Sequence, residues 1–102
     1  MKYDRSDPFR ADYARLSAQE RLLFRRAIQE INAAYARRGG TWPPRWPSHL
    51  RIKAVRGAPG IWEMTWSFAG PDGRATFEFI TIGGEPALRW RRIGDHRIFE
   101  QP

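Results

Sequence analysis

The sequence predicts an α+β fold: an N-terminal helical hairpin packed on one face of a mostly antiparallel sheet of about four strands. Three observations predict it. Two helix-start signatures fall within the first twenty residues, each followed by apolar residues at helical spacing. From Ile61 to Ile93 the apolar residues instead recur at every second position. Glycine and proline clusters separate these later runs by short intervals, which suits hairpins and is too short for parallel crossovers.

Residues 1–7 are polar and read as a short strand or a loose end. Asp7-Pro8 opens the first helix, with a side-chain acceptor at the cap and a proline at the first helical position. Phe9, Tyr13 and Leu16 give that helix a short apolar face. Ser17-Ala18-Gln19-Glu20 is a capping box, in which the serine bonds forward and the glutamate backward. The second helix runs to about Arg37, with Phe24, Ile28, Ile31 and Tyr35 as its stripe and Leu23, Ala27 and Ala34 widening it. Arg37 and Arg38 suit the negative end of the helix dipole, and Gly39-Gly40 ends the helix.

Thr41 to Ser48, TWPPRWPS, is a stiff connector, because its three prolines forbid helix and central-strand pairing. Trp42 and Trp46 read as caps over an open end of the core, since large aromatics are mostly buried; an exposed docking pair is the other reading. His49 to Val55 reads as a strand, with Leu50, Ile52 and Ala54 alternating against Arg51, Lys53 and Val55. Arg56 to Gly60 is a turn. In Ile61–Phe68, Trp62, Met64, Trp66 and Phe68 alternate with Glu63, Thr65 and Ser67. Ala69-Gly70-Pro71-Asp72-Gly73 is a hairpin loop. In Arg74–Ile80, Ala75, Phe77 and Phe79 alternate with Arg74, Thr76 and Glu78. Thr81 to Pro86 then leads into Ala87–Ile93, where Leu88 and Trp90 alternate with Arg89 and Arg91.

The 102 residues form one domain, and no internal repeat or low-complexity tail interrupts it. A net charge of +7 and a pI near 11.0 point to a polyanionic partner: nucleic acid, an acidic protein or an anionic surface. The absence of cysteine excludes disulfides, thiolate metal sites and cysteine nucleophiles. No apolar run approaches the ~18 residues of a membrane helix, and MKYDRSDPFR lacks the apolar core of a signal peptide. A cytoplasmic protein with no membrane partner is expected. There is no Walker-type glycine loop, dinucleotide fingerprint or metal-ligand cluster, so neither a cofactor nor a metal is expected.

What remains is a set of acids, bases and guanidinium groups. If the alternation holds, Glu63, Arg74, Arg89 and Arg91 share one face, and His96 follows the last strand. Guanidinium groups hold phosphate bidentately and stabilise the extra charge that develops on it during cleavage. His96 is able to move a proton near neutral pH, and Glu63 to act as a base. RNA supplies its own nucleophile, the 2′-hydroxyl. Any basic sheet offers a comparable inventory, and a histidine in such a loop is commonly an ordinary polar residue.

Three segments carry a further signal: RIKAVRGAPGIWEMTW, DGRATFEF and ALRWRRIGDHRIF. With the helical hairpin from Pro8 to Arg38, their order and spacing over residues 9–100 resemble the RelE/ParE superfamily of bacterial type II toxin–antitoxin toxins. The resemblance implies a small cytoplasmic toxin neutralised by a cognate antitoxin, expected to be acidic and to cover the basic face. RelE-like members cut mRNA without metal, often on the ribosome; ParE-like members poison DNA gyrase. By position, Arg74 matches the strand arginine used at the phosphate, and His96 falls at the active arginine or histidine after the glycine. Arg51 and Lys53 fall near a basic pair before the turn, and Glu63 where members carry a lysine or an acid. Phe99 stands where many members have a tyrosine, so stacking is kept and a hydroxyl is lost.

The expectation is therefore an mRNA-cleaving endoribonuclease. Its catalytic set is His96, Arg74, Glu63 and Arg91, and its RNA contacts are Arg51, Lys53, Arg89, Arg92, Arg97 and Phe99. A gyrase-directed toxin, or a non-catalytic RNA- or protein-binding member of the fold, is the alternative.

Overall fold

The computed structural model describes residues 1–67 and 72–102. In chain order these form β1 (Lys2–Arg5), α1 (Asp7–Ala14), α2 (Ala18–Ala36), β2 (Lys53–Ala54), β3 (Trp62–Ser67), β4 (Gly73–Ile82) and β5 (Glu85–Gly94). Short 3-10 turns occupy Ser48–Leu50 and His96–Glu100. The expected hairpin loop at 69–73 and the position of Phe68 lie largely outside the described residues, which resume at Asp72.

Both helix starts form where the sequence places them, with one shift. Ser6, not Asp7, caps α1: its hydroxyl accepts from the Phe9 amide at 3.2 Å, and Asp7 and Pro8 occupy the first turn. At α2 both bonds of the capping box are made, Glu20 N to Ser17 Oγ at 3.1 Å and Ser17 N to Glu20 Oε1 at 2.8 Å. No helix among the described residues is long and apolar enough to cross a membrane.

The sheet has five strands in the order β1-β5-β4-β3-β2. All neighbours are antiparallel except β1, which pairs parallel to β5, with Tyr3 opposite Leu88 and Arg5 opposite Trp90. Residues 1–7 thus supply the strand that the sequence left open. The expected strand over His49–Val55 shrinks to Lys53–Ala54. Arg51 adopts a left-handed conformation (φ 49) at the end of the 3-10 turn, which swings Leu50 into the core and prevents an extended run. By contrast, β4 and β5 extend past their expected ends and meet at Gly83-Gly84. Both glycines have positive φ, as a two-residue hairpin requires.

Period-two alternation places the core between the sheet and the helices. Phe9 and Phe24 meet Trp90, with ring centroids 6.2 and 5.1 Å apart, and Phe24 also meets Trp66 edge-on. Ile31, Met64, Phe77 and Leu88 complete this layer and are fully buried. Trp42 closes the far end of the core, in edge contact with Tyr35, Trp46 and Phe79, so the capping role expected of the connector tryptophans is the one observed. One irregularity bears on function. Thr76 pairs with Arg92 but Phe77 pairs with Trp90, so Arg91 is an extra residue in β5 with no partner across the ladder. Such a bulge frees a side chain from the regular pleat and re-aims it.

Candidate functional site

The face of the sheet turned away from the helices is organised in rungs. One rung runs Lys53–Glu63–Thr76–Arg92 across β2, β3, β4 and β5. The next holds Thr65, Arg74 and Gly94. On the other side, Glu78 lies opposite Arg89, which lies opposite Asp4. The register thus brings Glu63, Arg74 and Arg89 to one face, as the alternation predicts. Arg91 joins them from the bulge, since its Nη1 donates to Glu78 Oε2 at 3.4 Å.

This face differs from the expected wet, basic patch because its arginines are largely spent on carboxylates. Arg89 Nε donates to Asp4 Oδ2 at 2.8 Å and Nη1 to Glu78 Oε1 at 3.2 Å. The Arg89 guanidinium, then the Arg5 amide, hold the Asp4 carboxyl below its usual range, and Asp4 followed by Glu78 raises Arg89. Arg92 is clasped by the buried Asp12 of α1, whose hydrogen bond is the main reason its pKa is raised. Arg97 is paired with Asp95. That pair, with the Arg97 amide, holds the Asp95 carboxyl down at about 2.

At the rim, Asp72 gathers Arg51 and Arg74, whose Nη1 atoms lie 3.9 and 3.5 Å from its Oδ2. The Nη1 of Arg74 is buried and makes no hydrogen bond among the described residues. Lys53 Nζ stands 4.0 Å from Glu63 Oε1, and Glu63 is mostly covered. Two threonines lie on this face fully buried, Thr65 and Thr76. The cover over Thr76 is the segment after the last 3-10 turn: its hydroxyl donates to the Pro102 main-chain oxygen at 2.9 Å.

His96 lies two residues past Gly94, the β5 partner of Arg74, and its side chain is exposed. Phe99 is half-buried in the same 3-10 turn. The structure divides the predicted residues further. A cleft of about 690 Å³ opens between the start of α2 and the end of β5 and is lined by Arg92 and Arg97 together with Asp12, Trp66 and Asp95. Glu63, Arg74, Arg89 and Arg91 do not line it.

Sequence reasoning missed the acids. Asp4, Asp12, Asp72 and Glu78 organise the guanidinium groups, and three of the four come from outside the strands where the basic residues lie. The excess of arginines spaced along β5 was the signal available, because partly buried arginines require carboxylate partners.

Two solved structures share this architecture. A YoeB/ParE toxin from Agrobacterium tumefaciens is 18% identical with a TM-score of 0.61, over 94% of this chain and 99% of that one. The toxin–antitoxin complex RelB-RelE from Methanococcus jannaschii is matched at 14% identity and a TM-score of 0.56, over 95% of this chain and 94% of that one. No family model and no curated protein matches the sequence.

Proposed function

We propose that this chain, which has the RelE/ParE-like toxin fold, is the toxin of a toxin–antitoxin pair and a metal-independent endoribonuclease that cuts mRNA in the cytoplasm. Arg74 and Arg91 hold the scissile phosphate. Glu63, with Lys53 beside it, takes the proton from the 2′-hydroxyl. The 2′-oxygen attacks phosphorus, the bond from phosphorus to the 5′-oxygen breaks, and His96 gives its proton to that leaving oxygen. The products carry a 2′,3′-cyclic phosphate and a 5′-hydroxyl. Phe99 offers a ring for a base to stack on.

The observation that carries this reading is the register. Glu63 lies across from Thr76, Arg74 is two residues along from Thr76, and the strand facing Arg74 leads directly to His96. Neighbouring strands are about 4.8 Å apart and alternate residues of one strand about 6.6 Å apart, so Glu63 and Arg74 come within side-chain reach of one another, and His96 follows in the turn after the strand that faces Arg74. The Nη1 of Arg74, paired with Asp72 but making no hydrogen bond among the described residues, supports it too, since a phosphate oxygen would complete that donor. The partner implied is an acidic antitoxin, whose association with a chain of charge +7 would be fast and salt-sensitive. The test is incubation of the purified chain with mRNA in excess chelator. Fragments ending in 2′,3′-cyclic phosphate support the reading, and intact RNA at high enzyme concentration rejects it.

A second reading is favoured by a specific observation: Arg89, Arg91, Arg92 and Arg97 all have carboxylate partners already, and Phe99 lacks a hydroxyl. That arrangement suits a gyrase-directed or non-catalytic member of the fold. Pulse labelling after induction separates the two. An early fall in protein synthesis belongs to the ribonuclease and an early fall in DNA synthesis to the gyrase poison.

A further inference from the structure

Three donors on the second face of the sheet converge on two consecutive residues of the chain itself. Thr76 Oγ1 donates to the Pro102 main-chain oxygen at 2.9 Å, and Arg91 Nε donates to the same oxygen at 3.2 Å. Arg92 Nη1 donates to the neighbouring Gln101 oxygen at 3.2 Å. Each donor is held in place by other means. Thr76 is a fully buried strand residue. Arg91 is the bulge residue, anchored by Glu78 through Nη1. Arg92 has its Nε and Nη2 locked on Asp12, which leaves Nη1 to point at the segment.

What the segment presents is equally specific. The Gln101 amide is turned back to the Ile98 oxygen at 3.1 Å, and Pro102 has no amide proton. The main chain therefore offers the sheet acceptor oxygens and no donors. Adjacent acceptors met by a hydroxyl and two guanidinium groups reproduce the demands of the non-bridging oxygens of a phosphodiester.

We infer that Thr76, Arg91 and Arg92 form an oxyanion-binding site that Gln101 and Pro102 fill in the free protein, and that an RNA phosphodiester takes the place of those two residues. This rests on the ribonuclease reading for the identity of the ligand. It adds Thr76, a residue outside the proposed catalytic set, as a direct phosphate contact. It also makes the chain its own competitor: a site open only part of the time binds more weakly in proportion to the closed fraction.

The test compares the full chain with one ending at Glu100, using a fluorescent 2′-O-methyl oligoribonucleotide, which has no free 2′-hydroxyl and is not cut. Salt is fixed, and cooperative melting is confirmed for each chain. The shortened chain is expected to bind about tenfold more tightly, and Thr76→Val in that background to lose most of the gain. In the unaltered chain, saturating oligonucleotide is expected to speed amide exchange at Gln101. Equal or weaker binding by the shortened chain overturns the inference, as does unchanged Gln101 protection in the RNA-bound full chain. Because the probe cannot be cleaved, tighter binding without any cleavage of natural RNA upholds the site and removes the ribonuclease reading. Absence of RNA binding by either chain removes both.

Discussion

Arg92 clasps Asp12 through two hydrogen bonds, Nε to Oδ2 at 2.6 Å and Nη2 to Oδ1 at 3.1 Å, and the same Oδ2 accepts the Ile93 amide at 3.1 Å. One buried carboxylate thus ties α1 to the edge of β5 beyond the point where β1 has ended. Asp12→Ala would leave the buried Ile93 amide without its acceptor and strip the partly buried Arg92 guanidinium of its carboxylate, leaving it only the Gln101 oxygen. We expect it to cost about 3 kcal/mol, read from the urea midpoint at constant m-value. Asp12→Asn keeps an acceptor for Ile93 and is expected to cost less.

Gly73 opens β4 directly over an indole. A Cβ built there would lie 2.6 Å from Cε2 and Cζ2 of Trp66, a ring packed in the core that would have to shift to admit it. Gly73→Ala is therefore expected to destabilise the chain by about 1–3 kcal/mol through overpacking. Thermal melts check this. A Gly84→Ala control differs in mechanism, since nothing crowds Gly84 and the cost there comes from its positive φ alone.

Asp95 links acidity to the turn that carries His96. Its carboxylate accepts from the Arg97 amide at 2.9 Å and from the Arg97 guanidinium, and its folded pKa lies at about 2. A depressed carboxyl pKa contributes stability that is fully present above the unfolded value near ~4 and is lost as pH falls toward ~2. Asp95→Asn should therefore melt below the parent at pH 7, and the two melting temperatures should converge between pH 4 and pH 2. Curves that stay parallel through that interval would show that the interaction carries no linkage.

How much of this was legible in the sequence depends on range. Local signals were read nearly to the residue: Ser17 and Glu20 make the capping box, and Trp62, Met64, Trp66, Phe77 and Trp90 face the helices as the alternation requires. The strand expected over His49–Val55 survives only as Lys53–Ala54, cut short at Arg51, where a left-handed backbone overrides an apolar alternation too short to impose itself. For residues 1–7 a short strand was one of two readings, but its parallel pairing with β5 was not legible, because the partner lies more than eighty residues away and the segment's own pattern is polar.

The site divides along the same line. Glu63, Arg74 and Arg89 were placed on one face by pleat geometry, which is local. The bulge at Arg91, the Asp12–Arg92 clasp and the cover over Thr76 join segments distant in sequence, and no spacing announces them.

The central claim is that one face of the sheet, reaching from Arg74 to His96, cleaves RNA without a metal. The most direct measurement is the rate of RNA cleavage in excess chelator by the parent chain, His96→Ala and Arg74→Ala, each shown to melt cooperatively. The account predicts 2′,3′-cyclic phosphate ends from the parent and rates lowered about 10²- to 10⁴-fold in His96→Ala, with a comparable loss in Arg74→Ala. A parent that leaves RNA intact, or variants that cut it at the parental rate, would contradict it.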